Sequence, residues 1–170
     1  MQRNGFTLIE MMMTIAIAVI LLMIAVPGFQ QLLVTNRITT QTNNLISDLA
    51  VARSEAIKRG IRVTVCRTNI SSNCVAGAAW GDGRLIFPDG GTAGTVDGTD
   101  AVLRVAESLP GGLTLVPQGA FTSAFVQYTA TGTATPTGTL RLCKSGYKGR
   151  DITISTTGRV TSQETASVCT

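Results

Sequence analysis

At 170 residues the chain has room for one globular domain plus whatever its apolar N-terminus becomes. It contains no histidine, which excludes every Ser-His or Cys-His nucleophile arrangement, and its scattered acids suggest no general acid–base pair. The net charge of +4 is mild: from Gly60 onward nine Lys or Arg face seven Asp or Glu, so bulk charge makes no case for nucleic acid. No catalytic residue, cofactor or metal is expected.

The chain opens with a short head, "MQRNG", and then turns greasy. From Met11 to Pro27 no side chain is charged, and the apolar run continues through Phe29. That approaches the roughly 20 residues a helix needs to cross about 30 Å of hydrocarbon. Arg3 and the α-amine hold the head in the cytoplasm, so everything after Phe29 should lie across the membrane. A secretory cleavage site is not expected, because "AVP" at 25–27 puts proline where a small residue is wanted. Glu10 is the anomaly. A carboxylate entering a bilayer costs about 2.5–3.5 kcal/mol on insertion scales unless something offsets it.

The helix need not stop at the membrane face. The pattern continues with Leu32, Ile38, Leu45, Leu49, Ala52 and Ala56, the later members separated by threes and fours as one face of an amphipathic helix, and Gly60 ends it just after Lys58 and Arg59. Read as one element from Phe6 to Arg59, it would be about 80 Å long. Pro27-Gly28 should bend or loosen it, since proline removes a helix hydrogen bond.

Past Gly60 the period changes to two. "IRVTVCR", "RLIF", "AVLRV", "LTLV", "FVQY", "TLRLCK", "DITIS" and "GRVTS" read as short strands between Gly, Pro, Asp and Thr turns. The expectation is an α+β fold: a long N-terminal helix covering the apolar face of an antiparallel sheet domain. Cys66, Cys74, Cys143 and Cys169 all lie in this exported part, and an even count there reads as two disulfides. Spacing favours Cys66–Cys74 and Cys143–Cys169. Zinc is the competing use, but no C-x-x-C occurs. Asp89, Asp97 and Asp100 in the long glycine loop could collect calcium, yet they meet no EF-hand spacing and read as a solvated loop. Trp80 reads as a core anchor.

"GFTLIE" followed by an apolar run resembles the class III signal of type IV pilins and type II secretion pseudopilins. The resemblance implies that a prepilin peptidase cuts after Gly5 and methylates the new amine on Phe6. Glu10 and Pro27 stand where that family usually has those residues. It also gives Glu10 a task. In a filament of stacked helices its carboxylate can pair with the Phe6 amine of a neighbour and so set the register. "WGDGRLIFPD", "DAVLR", "GTLRLC" and "DITISTTGRV" resemble the H-type minor subunits of the GspH/FimT group, which includes FimU-like minor pilins and the secretion pseudopilin H. The implied organisation is a leader over 1–5, a membrane and filament-core helix over 6–29, an amphipathic helix over 30–59 and a β-rich periplasmic domain over 60–170. The implied partners are other minor and major pilins, the prepilin peptidase and the inner membrane, with a final place near the filament tip.

DNA is the alternative partner. Some relatives bind it through a C-terminal G-R-x-R motif; here Gly158, Arg159 and Val160 are followed by Thr161 where the second arginine would stand. Arg141, Lys144, Lys148 and Arg150 accompany Arg159 in sequence and could contact several phosphates.

Overall fold

The computed structural model describes residues 7–70, 72–98 and 100–170, without the side chain of Pro27. The chain divides into two units, Met1–Asn36 and Arg37–Thr170. One helix, α1 (Leu8–Arg59), forms the described part of the first unit and opens the second.

In the first unit no described side chain from Leu8 to Phe29 is buried. Leu32, expected on a buried face, is also exposed. From Arg37 onward the helix becomes two-sided. Ile38, Thr42, Leu45, Asp48, Leu49, Ala52 and Ala56 are buried, at the spacing of threes and fours that keeps one helical face together. The helix stops at Gly60, whose φ of 68° and N–H bond to Ala56 (3.0 Å) form a left-handed cap. Lys58 and Arg59 occupy the last turn, and Arg59 also pairs with Glu55 at 2.6 Å.

Nine strands follow among the described residues: β1 (Val63–Arg67), β2 (Arg84–Pro88), β3 (Arg104–Ala106), β4 (Thr114–Gln118), β5 (Phe125–Tyr128), β6 (Ala134–Thr135), β7 (Gly138–Cys143), β8 (Lys148–Ile154) and β9 (Val160–Val168). They form the expected antiparallel sheet domain as two sheets, ordered β3-β2-β1-β5-β6 and β4-β7-β8-β9. The strand expected over 101–105 is shorter and later, and β6 falls in a stretch expected as loop.

The first sheet is buried on both faces at its centre. Val63 and Val65 share one face with Ile86, Val126 and Tyr128, their partners in register. The opposite face carries Cys66, Leu85, Phe87 and Phe125, and the chain's own loops cover it through Cys74 and Val96. The polar side chains on that face, Thr64 and Gln127, are satisfied by a buried carboxylate. Asp89 Oδ2 accepts from Thr64 (2.6 Å), Gln127 (2.9 Å) and the Gly94 N–H (2.8 Å). A Cβ on Gly94 would overlap the Phe125 ring, so only glycine lets the loop lie this close. Asp89 is therefore a buried anchor rather than a solvated loop acid. Asp97 and Asp100 staple the same loop by accepting from the N–H groups of Thr92 (3.0 Å) and Gly90 (3.2 Å). Among the described residues no group of acids or cysteines is arranged to hold a metal ion.

The second sheet buries Leu115, Leu140, Leu142, Ile152 and Ile154 on its inner face. Its outer face carries the Arg141–Asp151 pair and a Thr139–Thr153 hydroxyl bond of 2.9 Å. The disulfides are Cys66–Cys74, closing a short loop after β1, and Cys143–Cys169, pinning the C-terminal tail to β7. Gly149 makes the second possible, since a Cβ there would overlap the Leu142 carbonyl and crowd both sulfurs. Trp80 is buried as expected, with its indole N–H donating to the Ser123 carbonyl at 3.2 Å and its ring 6.1 Å from that of Phe121.

Beside the apolar stripe, Asp48 and Arg53 fasten α1 to the strands by polar contacts. Asp48 reaches the first sheet, accepting from Arg84 Nε (3.1 Å) and Nη2 (2.8 Å) and facing Arg104 Nε at 3.1 Å. Arg53 donates to the Gly132 carbonyl (3.0 Å), in the turn between β5 and β6, and to the Thr157 carbonyl (2.9 Å), in the turn between β8 and β9.

Tyr128 sits fully buried in this core, and burial pushes its phenol up to about 12, with Arg53 slightly opposing. The folded value lies above the ordinary one of about 10, so the folded state holds this proton more tightly. Its contribution to stability is complete below pH ~10 and is lost as pH rises through ~12. In an alkaline absorbance titration, one tyrosine should ionise only near pH 12, together with loss of near-UV circular dichroism. Tyr128→Phe should delete that step; a Tyr128 that titrates near 10 in the folded protein would contradict its burial.

Candidate assembly site

The first unit is chemically simple, and the simplicity is informative. An 18-residue stretch of α1 reaches a mean hydropathy of 2.6 with none of it buried. A helix that is apolar all round and not buried among the described residues suits lipid or the company of other helices. Within 8–36 the sole charged residue is Glu10.

Local geometry places that charge at the helix head. Thr7 caps α1: its Oγ1 accepts from the Glu10 N–H at 3.3 Å, and its carbonyl accepts from the Met11 N–H at 3.2 Å. Thr7-Leu8-Ile9-Glu10 has the T-x-x-E spacing of a capping box, and a carboxylate in the first turn also suits the positive end of the helix dipole. Glu10 thus has a local helix-forming role as well as an available charge. The expected cleavage and methylation point, Gly5 and Phe6, lies outside the described residues, as does the Pro27 side chain; α1 runs as helix through positions 27 and 28.

The five cations near the C-terminus do not form one patch. Paired residues across a ladder share a face, and neighbours along a strand alternate. Arg141 pairs with Asp151 on the outer face of the second sheet, while Arg150 pairs with the buried Leu142 on the inner face. Arg141 is committed to Asp151 through Nε (2.7 Å) and Nη2 (2.8 Å). Lys148 binds Glu164 at 3.0 Å, and that bond, with Arg150 nearby, holds the Glu164 carboxyl below its usual range. Lys144 donates to the Gly111 carbonyl. Arg159 stands in the turn after β8, whereas Lys144 stands in the turn before it. The intervening strand separates them by about 20 Å. Arg159 alone is exposed with no side-chain partner among the described residues.

The reading of the sequence missed Asp48, Arg84 and Arg104. The available signal was Asp48 itself, an acid within the apolar stripe between Leu45 and Leu49.

The family model described as Type II transport protein GspH matches residues 41–158, and that of the prokaryotic N-terminal methylation motif matches residues 1–26. No curated protein gives a significant match. Among solved structures, the chain is similar to the type IV minor pilin FimU of Pseudomonas aeruginosa, at 23% identity over 78% of this chain and 96% of that one, with a TM-score of 0.62. It is also similar to the minor pseudopilin EpsH from the Type 2 Secretion System of Vibrio cholerae, at 14% identity over 76% of this chain and 98% of that one, with a TM-score of 0.54. At these identities the likeness is one of fold: a long helix on an antiparallel sheet domain. The first family model spans well over half of the sequence, and the chain belongs to the Type II transport protein GspH family.

Proposed function

We propose that the chain is a minor pilin that helps prime or cap assembly of a type IV pilus. A prepilin peptidase cuts between Gly5 and Phe6 and methylates the new amine. Residues 6–29 then hold the protein in the inner membrane, with residues 30–59 and the β-rich domain of 60–170 in the periplasm. On assembly the same helix exchanges lipid for neighbouring pilins near the filament tip, with Glu10 and Pro27 in the assembling segment. The observation that carries this reading is the apolar helix from Leu8 to Phe29, exposed on all sides and bearing one carboxylate in its first turn.

Intact-mass analysis tests it. The mature chain should begin at Phe6 with one added methyl group; a chain still beginning at Met1 in cells with active peptidase would end the proposal. A type II secretion pseudopilin H would share this chemistry, and recovery of the protein in sheared pili rather than in secretion pseudopili separates the two.

Duplex DNA is a second reading, supported by the unpaired Arg159. With the other four cations split between faces and ends, binding should be weak and non-specific, at Kd ~10⁻⁴–10⁻⁶ M. Titration of labelled duplex at two salt concentrations, with Arg159→Ala beside the wild type, measures it. Tight binding lost in Arg159→Ala would make the protein a nucleic-acid receptor.

A further inference from the structure

We propose that the cleft between α1 and β3 docks an acidic side chain flanked by a base on the surface of a neighbouring filament subunit; this rests on the filament-subunit reading above. The cleft holds about 370 Å³ and is walled by Gln41, Asn44 and Asp48 from α1, by Arg84 from β2, and by Arg104 and Glu107 from β3 and its continuation. Its charges balance in number, but both arginines turn to Asp48. Arg84 has only 3% of its side chain exposed, and its Nε and Nη2 both donate to the same oxygen of Asp48. Its Nη1 is buried with no acceptor among the described residues. Arg104 faces the other oxygen of Asp48 through Nε at 3.1 Å and keeps 43% of its side chain exposed. Two guanidiniums therefore share one carboxylate, although each has the donors to engage one bidentately. A second carboxylate, brought in from outside, completes the set.

Glu107 decides what can bring it. The side chain is exposed with no ionic partner among the described residues. With Arg84 and Arg104 against Asp48 and Glu107, the cleft has no net formal charge, so no field gathers a free anion from solution. A lone carboxylate would meet repulsion at Glu107, whereas a surface carrying an acid beside a base pairs with both walls. β3 is also the terminal strand of its sheet, and Val105 beside the cleft is 42% exposed, so a protein surface has open access.

The test uses the full-length chain in cells that assemble filaments, with a photo-crosslinking residue at Val105 and, separately, at Ile17 in the apolar helix. Val105 should give an adduct to another filament subunit, mapping to a peptide with an Asp or Glu next to a Lys or Arg. Its yield should fall about tenfold in Arg104→Gln, while the Ile17 adduct persists. Glu107→Lys, which leaves Asp48 and its partners untouched, should lower the yield as well and keeps the test valid if Arg104→Gln disturbs folding. An Ile17 adduct without a Val105 adduct overturns the docking site and leaves filament assembly standing. So does a mapped peptide lacking an acid, or a yield indifferent to both variants. Protection of Arg104 from phenylglyoxal by millimolar citrate would make this a small-carboxylate site and overturn the proposal. Absence of both adducts would overturn the assembly reading along with it.

Discussion

Glu10→Ala should be cut, inserted and folded normally, yet be largely missing from filaments. Its removal takes the sole charge out of residues 8–36, which eases insertion by at most about 2.5–3.5 kcal/mol, the cost of a charge at a helix centre. The hydrogen bonds, ion pairs and disulfides that hold residues 37–170 together do not involve position 10. In the filament proposed above, with Glu10 paired to a neighbour's Phe6 amine, that amine would lose its counter-charge in an apolar surrounding. Leaving one member of a buried pair alone costs about 3–5 kcal/mol, which corresponds to a hundredfold or greater loss of incorporation at about 1.4 kcal/mol per decade. Immunoblots of sheared filaments against the membrane fraction read this directly. Wild-type incorporation of Glu10→Ala would remove the register role of the carboxylate.

The largest effect on stability is expected from Asp48→Ala. The substitution strands the Arg84 guanidinium, 3% exposed, without its carboxylate and also takes the partner of Arg104. The expected loss is about 3–5 kcal/mol, lowering Tm by roughly 10 °C or more for a domain of this size. Replacing both members, Asp48→Leu with Arg84→Met, should recover most of that loss, because well-packed apolar side chains often match a buried ion pair. Arg104 is half-exposed and tolerates solvation. Thermal melts of the full-length protein with both disulfides intact give the comparison. A single variant as stable as wild type would mean that Asp48 contributes nothing net.

How far the sequence could be read depended on whether the controlling contact was local. The stripe from Ile38 to Ala56, the stop at Gly60 and strands such as "RLIF" and "TLRLC" follow from spacing within a few residues, and they stand close to where the spacing puts them. Partition into two sheets depends on which strand finds which, and alternation along one strand carries no such information. Leu32 shows the limit of reading a stripe loosely: it stands six residues before Ile38, which turns it about 120° away from the buried face, and it is exposed. The basic residues show the same limit from another side. Arg141 and Arg150 lie close in sequence, and the register of the β7–β8 hairpin sends them to opposite faces. Asp89 looked solvated because its run is rich in glycine; its burial follows from Thr64 and Gln127, distant in sequence, needing an acceptor.

A filament subunit also carries mechanical load, and the fastening of α1 determines how tension is shared. Asp48 grips the first sheet, and five residues later, about 7.5 Å along the helix, Arg53 grips a turn of each sheet. Force travelling down the helix axis therefore reaches both sheets within about one and a half turns of helix, instead of reaching one sheet well before the other. Pulled in this direction, the domain should yield in one event at high force, with no weaker step in which a single sheet detaches first.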